Sequence, residues 1–311
     1  MQPITELFPP FGDEQIAAFE SRASTEDRAE LDGMFKIADI RYPKSGRHVL
    51  STSLYCQPHS PQVPPIEPVT IDNLRRPHPS VRNKNSWWDE YMRPLIRALD
   101  RIQPPWHLRL HLAPNLTFLE RFVRHPRVEI RVMKHPSTST IPGMLWRYLP
   151  MDEDVILMAR GTDDLWPERE VMLHVENALR EDFFLFRRHL PRDLDQSSFL
   201  IYRTVPGPIV VQGSEALRFR RAAQAWIWSN KNRLLAASVA FGDPPRQVPK
   251  FGLSHWARYG QDEQFLSHWL FYLALDRSIY TMADKRHSST IFVSDMKLVQ
   301  SKSAFSRLFL Y

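Results

Sequence analysis

IPGMLWRYLPMDEDVILMARGTDDLWPERE, residues 141–170, is the stretch that decides the fold of this chain. Within it, residues 154–159 read Asp-Val-Ile-Leu-Met-Ala, and a run of four apolar residues between charged groups predicts a strand buried on both faces, as in parallel sheets. The strand ends in a polar loop, and Pro167 fits the first turn of a following helix. Because open α/β sheets bind ligands beyond the carboxyl ends of their strands, Arg160, Asp163 and Asp164 are predicted to lie at a binding edge.

Composition indicates an ordinary globular protein. The 311 residues are 43% hydrophobic and 24% charged, and 41 Lys+Arg against 35 Asp+Glu give a net charge of +6. This mild basic excess suits phosphate-bearing ligands or an anionic surface. The sequence has no helix-turn-helix, zinc-finger or RNP-like motif, so we expect no nucleic-acid partner.

Cysteine content and hydropathy bear on the compartment. One cysteine, Cys56, excludes an internal disulfide and a cysteine-based zinc site, and it favours a reducing compartment. The first residues lack the basic and apolar regions of a signal peptide, and no apolar run approaches the ~20 residues of a membrane span. We therefore expect a cytoplasmic protein with at most peripheral membrane contact.

Strand patterns alternate with helical patterns along most of the chain. This alternation predicts an α/β fold: a doubly wound, mostly parallel central sheet flanked by helices. The predicted strands are residues 48–55, 106–112, 128–133, 154–159, 182–186, one or two within 199–211, and a last one at 278–282.

The same patterns predict three regions. Residues 1–46 form a helical N-terminal arm with helices at 13–19 and 25–31, the second capped by Thr25. Residues 47–282 form the α/β domain, with a Pro-rich insertion at 56–80 and a helix at 86–102 that Pro94 either kinks or divides. Residues 283–311 form a C-terminal tail.

Several segments, in this order, resemble a family of bacterial and viral glycosyltransferase-like proteins with the GT-A (nucleotide-diphospho-sugar transferase) fold. The resemblance covers roughly residues 48–282. The matching segments are Leu-Tyr at 54–55, Trp-Arg-Tyr-Leu at 146–149, Arg-Gly-Thr-Asp-Asp at 160–164, Arg-Glu at 169–170, and Tyr-Gly-Gln-Asp-Glu-Gln-Phe-Leu at 259–266, with a weaker match at 186–189.

The resemblance implies an enzyme of the hexosyl- or pentosyltransferase class. Such an enzyme moves a sugar from a nucleotide-diphosphate donor to a hydroxyl acceptor on a glycan, a lipid-linked molecule or a protein. The family's Asp-x-Asp motif, which holds a divalent metal against the diphosphate, is degenerate here, because Gly161 replaces its first carboxylate. Asp163, helped by Asp164, could still bind Mn²⁺ or Mg²⁺, since these ions need few carboxylates beside phosphate oxygens.

The resemblance also implies a donor site. Ser53, Leu54 and Tyr55 would bind the nucleotide. Arg147 and Arg160, with Arg187, would offset the diphosphate charge, and Asp163 would bind the diphosphate through the metal. Each has a structural alternative. The aspartates are also typical turn and helix-cap residues, and the arginines before and after the strand could instead pair with Asp152 or Asp154.

Asp262 and Glu263 are the candidate catalytic residues, with Asp262 as the general base that deprotonates the acceptor hydroxyl. Their alternative role is to offset the dipole at the start of an amphipathic helix. The tryptophans at 226 and 228 could stack on rings, although aromatic residues at helical spacing are more often core. The missing first aspartate keeps a second hypothesis open: a catalytically inactive binding or scaffolding protein on the same fold.

Overall fold

The computed structural model describes residues 11–55, 92–102, 105–135, 140–159, 183–188, 198–203, 218–231, 265–266, 268–269, 278–282 and 290–293. Nine described strands form one sheet in the order β1-β4-β3-β2-β5-β7-β6-β8-β9. Their bounds are β1 Ile37–Arg41, β2 His48–Leu54, β3 His107–Leu112, β4 Val128–Met133, β5 Ile156–Ala159, β6 Phe183–Arg188, β7 Ser198–Arg203, β8 Ser278–Met282 and β9 Thr290–Val293.

The centre of the sheet is parallel. β3 pairs with both β2 and β4 in parallel, and β2 pairs in parallel with β5 on its other side. β1, β7 and β9 run against the other six strands. The predicted mostly parallel α/β sheet is therefore confirmed, and the run β4-β3-β2-β5 has the strand order of one half of a doubly wound fold.

Burial on both faces explains the composition of these central strands. Every residue of β3 and of β4 is buried, and in β2 only His48 is half-buried. One face carries Leu50, Leu108, Leu110 and Ile130, which belong to the hydrophobic core. The other face is polar, as the next section describes.

The described helices are short. They are α1 Asp13–Arg22, α2 Thr25–Met34, α3 Arg93–Ala98, α4 Glu120–Val123, α5 Thr140–Leu145 and α6 Phe219–Ser229, with 3₁₀ helices at Pro114–Leu119 and Trp146–Asp152. The second 3₁₀ helix packs against β2, β3 and β5, and α6 packs against that 3₁₀ helix and against α1. Among the helices described, none combines the length and apolar character of a bilayer span.

The structure corrects several expectations at the ends of the chain. Residues 37–41, predicted as part of a helical arm, form the edge strand β1, which pairs antiparallel with β4. The cap of α2 is Ser24 rather than Thr25, because the Ser24 hydroxyl accepts the Asp27 N–H. The strand predicted to be the last, β8, is followed by β9 within the expected tail.

Other predicted elements are confirmed with shifted bounds. β5 begins at Ile156 rather than at residue 154. α3 begins at Arg93 with Pro94 in its first turn, so here Pro94 lies at a helix start. The Pro-rich insertion at 56–80 and the helix predicted at 167–180 lie outside the described residues.

Asp152 joins α6 to the central sheet. The Asp152 carboxylate accepts the backbone N–H groups of Phe219 (2.6 Å) and Arg220 (2.9 Å), two of the four that have no partner within the helix. Beyond this cap, Phe219 and Trp226 of α6 pack among Phe11 and Phe265. The junction thus combines one capping carboxylate with an aromatic core.

We predict that Asp152→Ala lowers the free energy of unfolding by about 1–2 kcal/mol, because two backbone donors at the start of α6 lose their acceptor. Urea unfolding of the purified protein measures the change. The matched control is Asp154→Ala, which removes a half-exposed pair with Arg47 and should cost ~1 kcal/mol or less. Equal losses in the two variants would contradict the capping role.

Candidate functional site

The carboxyl end of β2 lies at the point where the chain reverses its direction across the sheet. From β2 the chain adds β3 and then β4 on one side, and afterwards returns to place β5 on the other side of β2. The register pairs Leu54 with Leu112 and Ser51 with Ala159. This switch point is where open α/β sheets form a ligand crevice, and the predicted nucleotide residues lie directly at it.

Ser53, Leu54 and Tyr55 differ in what they present there. Ser53 and Leu54 are buried, and the Leu54 carbonyl accepts the Ala113 N–H at 2.9 Å. Tyr55 is half-buried, and its ring lies edge-on to Trp146 with 6.4 Å between the ring centroids. Of the three residues, Tyr55 has the most side-chain surface available to a ligand.

Arg147 directly follows Trp146, the residue whose ring contacts Tyr55. The Trp146 indole N–H donates to the Met34 carbonyl at 2.8 Å, which fixes the start of the 3₁₀ helix beside β2. The half-buried Arg147 follows it, with its guanidinium carbon 5.0 Å from the Tyr148 ring centroid. Four of the predicted site residues, Ser53 to Tyr55 and Arg147, therefore belong to two elements in contact.

The proposed alternative partners of Arg147 both have other contacts. Asp152 caps α6, as described above. Asp154 accepts a hydrogen bond from Arg47 at 2.6 Å. Asp152, at the end of the 3₁₀ helix, and Asp154, before β5, thus each have a structural contact of their own.

Arg187 lies farther along the same edge. It is the last residue but one of β6, where its backbone pairs with Phe199 and Thr281. β5 and β7 separate β6 from β2, which corresponds to roughly 14 Å across the sheet. Since β6 runs in the same direction as β2, Arg187 is near the carboxyl edge but not beside Tyr55.

The remaining predicted site residues lie outside the described residues. They are Arg160, Asp163 and Asp164 in the loop after β5, and Asp262 and Glu263 upstream of Phe265. Their roles stay predictions. Within the described part of the chain, no group of three histidine, cysteine or acidic side chains could hold a metal ion.

A buried ionic cluster on the polar face of the sheet was not anticipated from the sequence. Arg109 of β3 and Arg131 of β4 both contact Glu129 and Glu153, with Arg109 Nη1 2.6 Å and Arg131 Nη1 2.5 Å from the Glu153 carboxylate. Glu129 also accepts the Lys44 N–H at 2.9 Å. Arg109 Nε lies 2.8 Å from Glu129 but without hydrogen-bond alignment, so this contact is an ion pair only.

The signal for this cluster was present in the strand sequences. Arg109 and Glu129 are opposite each other in the parallel register, and so are His111 and Arg131. Opposite charges at matching positions of neighbouring strands indicate a cross-strand pair. Although burial acts to raise the pKa of Glu129 and Glu153, the two arginines hold both pKa values below the usual range, which keeps the cluster ionised.

Two buried histidines flank the cluster. Burial, together with the charges of Arg109 and Arg131, lowers the pKa of His107 to about 4, and the pKa of His111 falls well below its ordinary value. His111 Nδ1 lies 3.4 Å from the Ser51 hydroxyl and 3.4 Å from the Thr52 carbonyl. Both imidazoles are therefore neutral near pH 7.

The described tryptophans of α6 are core residues. Trp226 lies 5.3 Å from Phe11, 5.8 Å from Phe265 and 5.1 Å from the His268 ring, measured between ring centroids. Trp228 packs against Phe19. The structural interpretation of these aromatic residues is thus confirmed.

Comparison with known proteins adds little. No protein-family model and no curated protein matches the sequence. Among solved structures, the crystal structure of Rv0371c from Mycobacterium tuberculosis H37Rv aligns with 86% of this chain and 100% of its own at 7% identity, with a TM-score of 0.35. A similarity at this level supports no inference about fold or function.

We predict that Glu129→Gln costs about 3 kcal/mol or more in unfolding free energy, because it leaves the buried Arg109 and Arg131 with only the partly exposed carboxylate of Glu153 between them. Chemical denaturation measures the loss. Glu120→Gln is the matched control: Glu120 is less buried and pairs with Arg41, so its loss should cost ~1 kcal/mol or less. A Glu129 variant no less stable than the control would overturn the structural role of the cluster.

Acid should destabilise the protein through the buried histidines. Below pH ~6.5 the unfolded chain protonates both, whereas the folded chain keeps His107 neutral down to about 4. The unfolded state then binds more protons, so stability is full above pH 6.5 and falls as the pH drops toward 4. For His107 alone the loss approaches roughly 3 kcal/mol.

Urea titrations from pH 7.5 to 4.5 test this acid sensitivity. His107→Gln should flatten the decline. A wild-type stability independent of pH across this interval would refute the explanation.

Proposed function

We propose that this chain is a glycosyltransferase that moves a sugar from a nucleotide-diphosphate donor to a hydroxyl acceptor. The observation that carries the proposal is the position of Tyr55 at the switch point of a parallel sheet, where its ring packs on Trp146, the residue before Arg147. The neighbouring strand β5 precedes Asp163 and Asp164 in the sequence. In this proposal the sheet is a GT-A fold. The single cysteine supports a reducing, cytoplasmic location.

Tyr55 would contact the nucleotide at the end of β2. Its half-buried ring, already packed on Trp146, offers an aromatic surface that costs little conformational entropy when a base or ribose packs on it. Ser53 and Leu54, being buried, would shape the floor of the crevice rather than reach into it.

The diphosphate would lie between Arg147 and the loop after β5. A guanidinium binds phosphate oxygens in a bidentate manner, and Arg160 in that loop, with Arg187 farther along the edge, would add positive charge. The adjacent carboxylates Asp163 and Asp164 are hard oxygen donors, which fits Mg²⁺ or Mn²⁺ in chemical type. Such an ion would neutralise the leaving diphosphate, while the arginines would hold it in place.

Asp262 would act as the general base, with Glu263 as the second candidate. Asp262 precedes Phe265 by three residues, a tether of at most about 11 Å. Phe265 is fully buried against Phe219 and Trp269, so the helical turn that follows the candidate base is firmly anchored. A carboxylate on an anchored segment can accept a proton from a positioned acceptor hydroxyl.

A second candidate function is a catalytically inactive binding or scaffolding protein. Gly161 at the first position of the Asp-x-Asp segment favours it, because one of the two expected metal carboxylates is absent. Nucleotide binding through arginines alone would be compatible with this function.

We expect a nucleotide diphosphate to stabilise the protein against heat in the presence of Mn²⁺ or Mg²⁺. At ~100 times its dissociation constant a ligand adds about 2.7 kcal/mol to the unfolding free energy. The experiment is a thermal-shift panel of UDP, GDP, CMP and common nucleotide sugars, each with and without metal. Asp163→Ala should remove the metal-dependent part of the shift and the transferase activity while leaving the metal-free melting temperature unchanged.

Asp154→Ala is the control, since it removes a carboxylate from the other end of the same strand. A fully active Asp163→Ala variant would contradict the assignment of Asp163 as a metal ligand. A nucleotide shift without metal and without turnover would favour the inactive binding protein. The absence of any shift would remove the support for a nucleotide site.

A further inference from the structure

β1 is the outermost strand on one side of the sheet, and its outer side is exposed. Among the described strands it has one neighbour, β4, so no described strand pairs with the backbone groups on its other side. Ala38, Asp39 and Ile40 are exposed. Ile40, which is 46% exposed, is the one large apolar side chain that is exposed in the described part of the chain.

Part of β1 keeps the regular geometry that a further strand needs. Edge strands are commonly protected from such pairing by a bulge or by charged side chains. The irregularity of β1 lies between Ile37 and Asp39, and residues 39–41 pair one to one with residues 132, 131 and 130 of β4. The bulge therefore leaves a regular segment of three residues at the outer edge.

The two faces of this segment differ in character. Ile40 is opposite Arg131 and lies on the same face of the sheet as that residue. Asp39 and Arg41 lie on the other face, where Arg41 binds Glu120 of α4. Arg41 Nε is 2.8 Å from the Asp39 carboxylate, and the Asp39 side chain is 52% exposed. The outer edge thus carries an apolar side chain on one face and a pair of opposite charges on the other.

This segment is complementary to itself in one antiparallel register. When two copies pair about a two-fold axis normal to the sheet, the residues opposite each other share a face. With the axis at Ile40, the two Ile40 side chains are opposite each other, and each Asp39 is opposite the partner's Arg41. A register centred on Asp39 or on Arg41 would place two like charges opposite each other, which is destabilising.

We propose that the outer edge of β1 binds the same edge of a second copy of this chain, so that the two sheets join into one. Backbone hydrogen bonds connect the two β1 strands, the Ile40 pair is removed from water, and the two pairs of Asp39 with Arg41 fix the register. β4 and β3 separate β1 from β2, which corresponds to roughly 14 Å across the sheet. The interface therefore leaves the candidate crevice open, and it does not depend on the proposed sugar transfer.

The experiment is sedimentation velocity of the full chain between ~1 and ~100 μM. Because the interface is small, we expect a monomer–dimer equilibrium in the micromolar range. Asp39→Arg should weaken the dimer at least ~10-fold, because both cross-strand charge pairs change from attraction to repulsion. Ile40→Lys, which places two ammonium groups opposite each other at the axis, should weaken it similarly.

Mixing two charge variants tests the register itself. Asp39→Arg and Arg41→Glu each place like charges opposite each other when paired with their own copy, whereas a mixed pair has opposite charges at both positions. The mixture should therefore recover the dimer that each variant alone has lost. Circular dichroism checks that the variants fold, and Ile40→Lys serves if Arg41→Glu, which loses its contact with Glu120, does not.

The matched control is Glu14→Arg, which makes the same change of charge as Asp39→Arg at an exposed position of α1. It should leave the equilibrium unchanged, and equal weakening by the control would overturn the proposal. A dimer that Asp39→Arg leaves intact, or a mixture of folded variants that stays monomeric, would overturn it as well. A wild-type chain that is monomeric at every concentration would also do so and would favour a strand of another protein as the occupant of this edge.

Discussion

Three consecutive acidic residues before β5 hold the central parts of this structure together. Glu153 binds the arginines of β3 and β4 on the polar face of the sheet, Asp152 caps α6, and Asp154 pairs with the residue before β2. A parallel sheet that places charged side chains in its interior needs such partners, because a buried arginine without a carboxylate costs several kcal/mol. The position of β5 therefore depends on the ion pairs that Glu153 forms with the arginines of β3 and β4.

The same three residues connect stability with the candidate site without belonging to it. They lie at the amino end of β5, and the carboxyl end, after which Asp163 follows in the sequence, is about 13 Å away along four residues of strand. Because Ala159 is in register with Ser51, the carboxyl end of β5 is fixed relative to β2. The acid triplet thus helps to set the alignment of β5 and β2, while its own contacts lie at the opposite edge of the sheet.

Local sequence patterns predicted the strands that are buried and regular. They missed the strands that form because a neighbouring strand offers backbone hydrogen-bonding partners. β5 was recognisable because four apolar residues stand between charges, whereas β1, with Asp39 and Arg41 in five residues, forms because β4 offers it an edge. β9 was missed in the same way, since it pairs with β8 across a polar segment. The candidate crevice could be located from the expected order of the strands. The ionic cluster and its neutral histidines could not, because they depend on contacts between residues far apart in the sequence.

Charge acts in this molecule at three depths, and solvent screening separates them. Arg109, Glu129 and Arg131 are buried and the Glu153 side chain is 35% exposed, so added salt weakens the contacts of this cluster less than it weakens those of a surface pair. The exposed arginines of α3 and α4 lie in solvent, where a Debye length of about 8 Å at physiological ionic strength limits the reach of their charge. Arg147, half-buried and next to Trp146 in the sequence, lies between these extremes. The net charge of +6 therefore combines charged groups with three different physical roles. The buried cluster fixes the strands, Arg147 is partly shielded near the candidate crevice, and the exposed arginines respond to the salt around them.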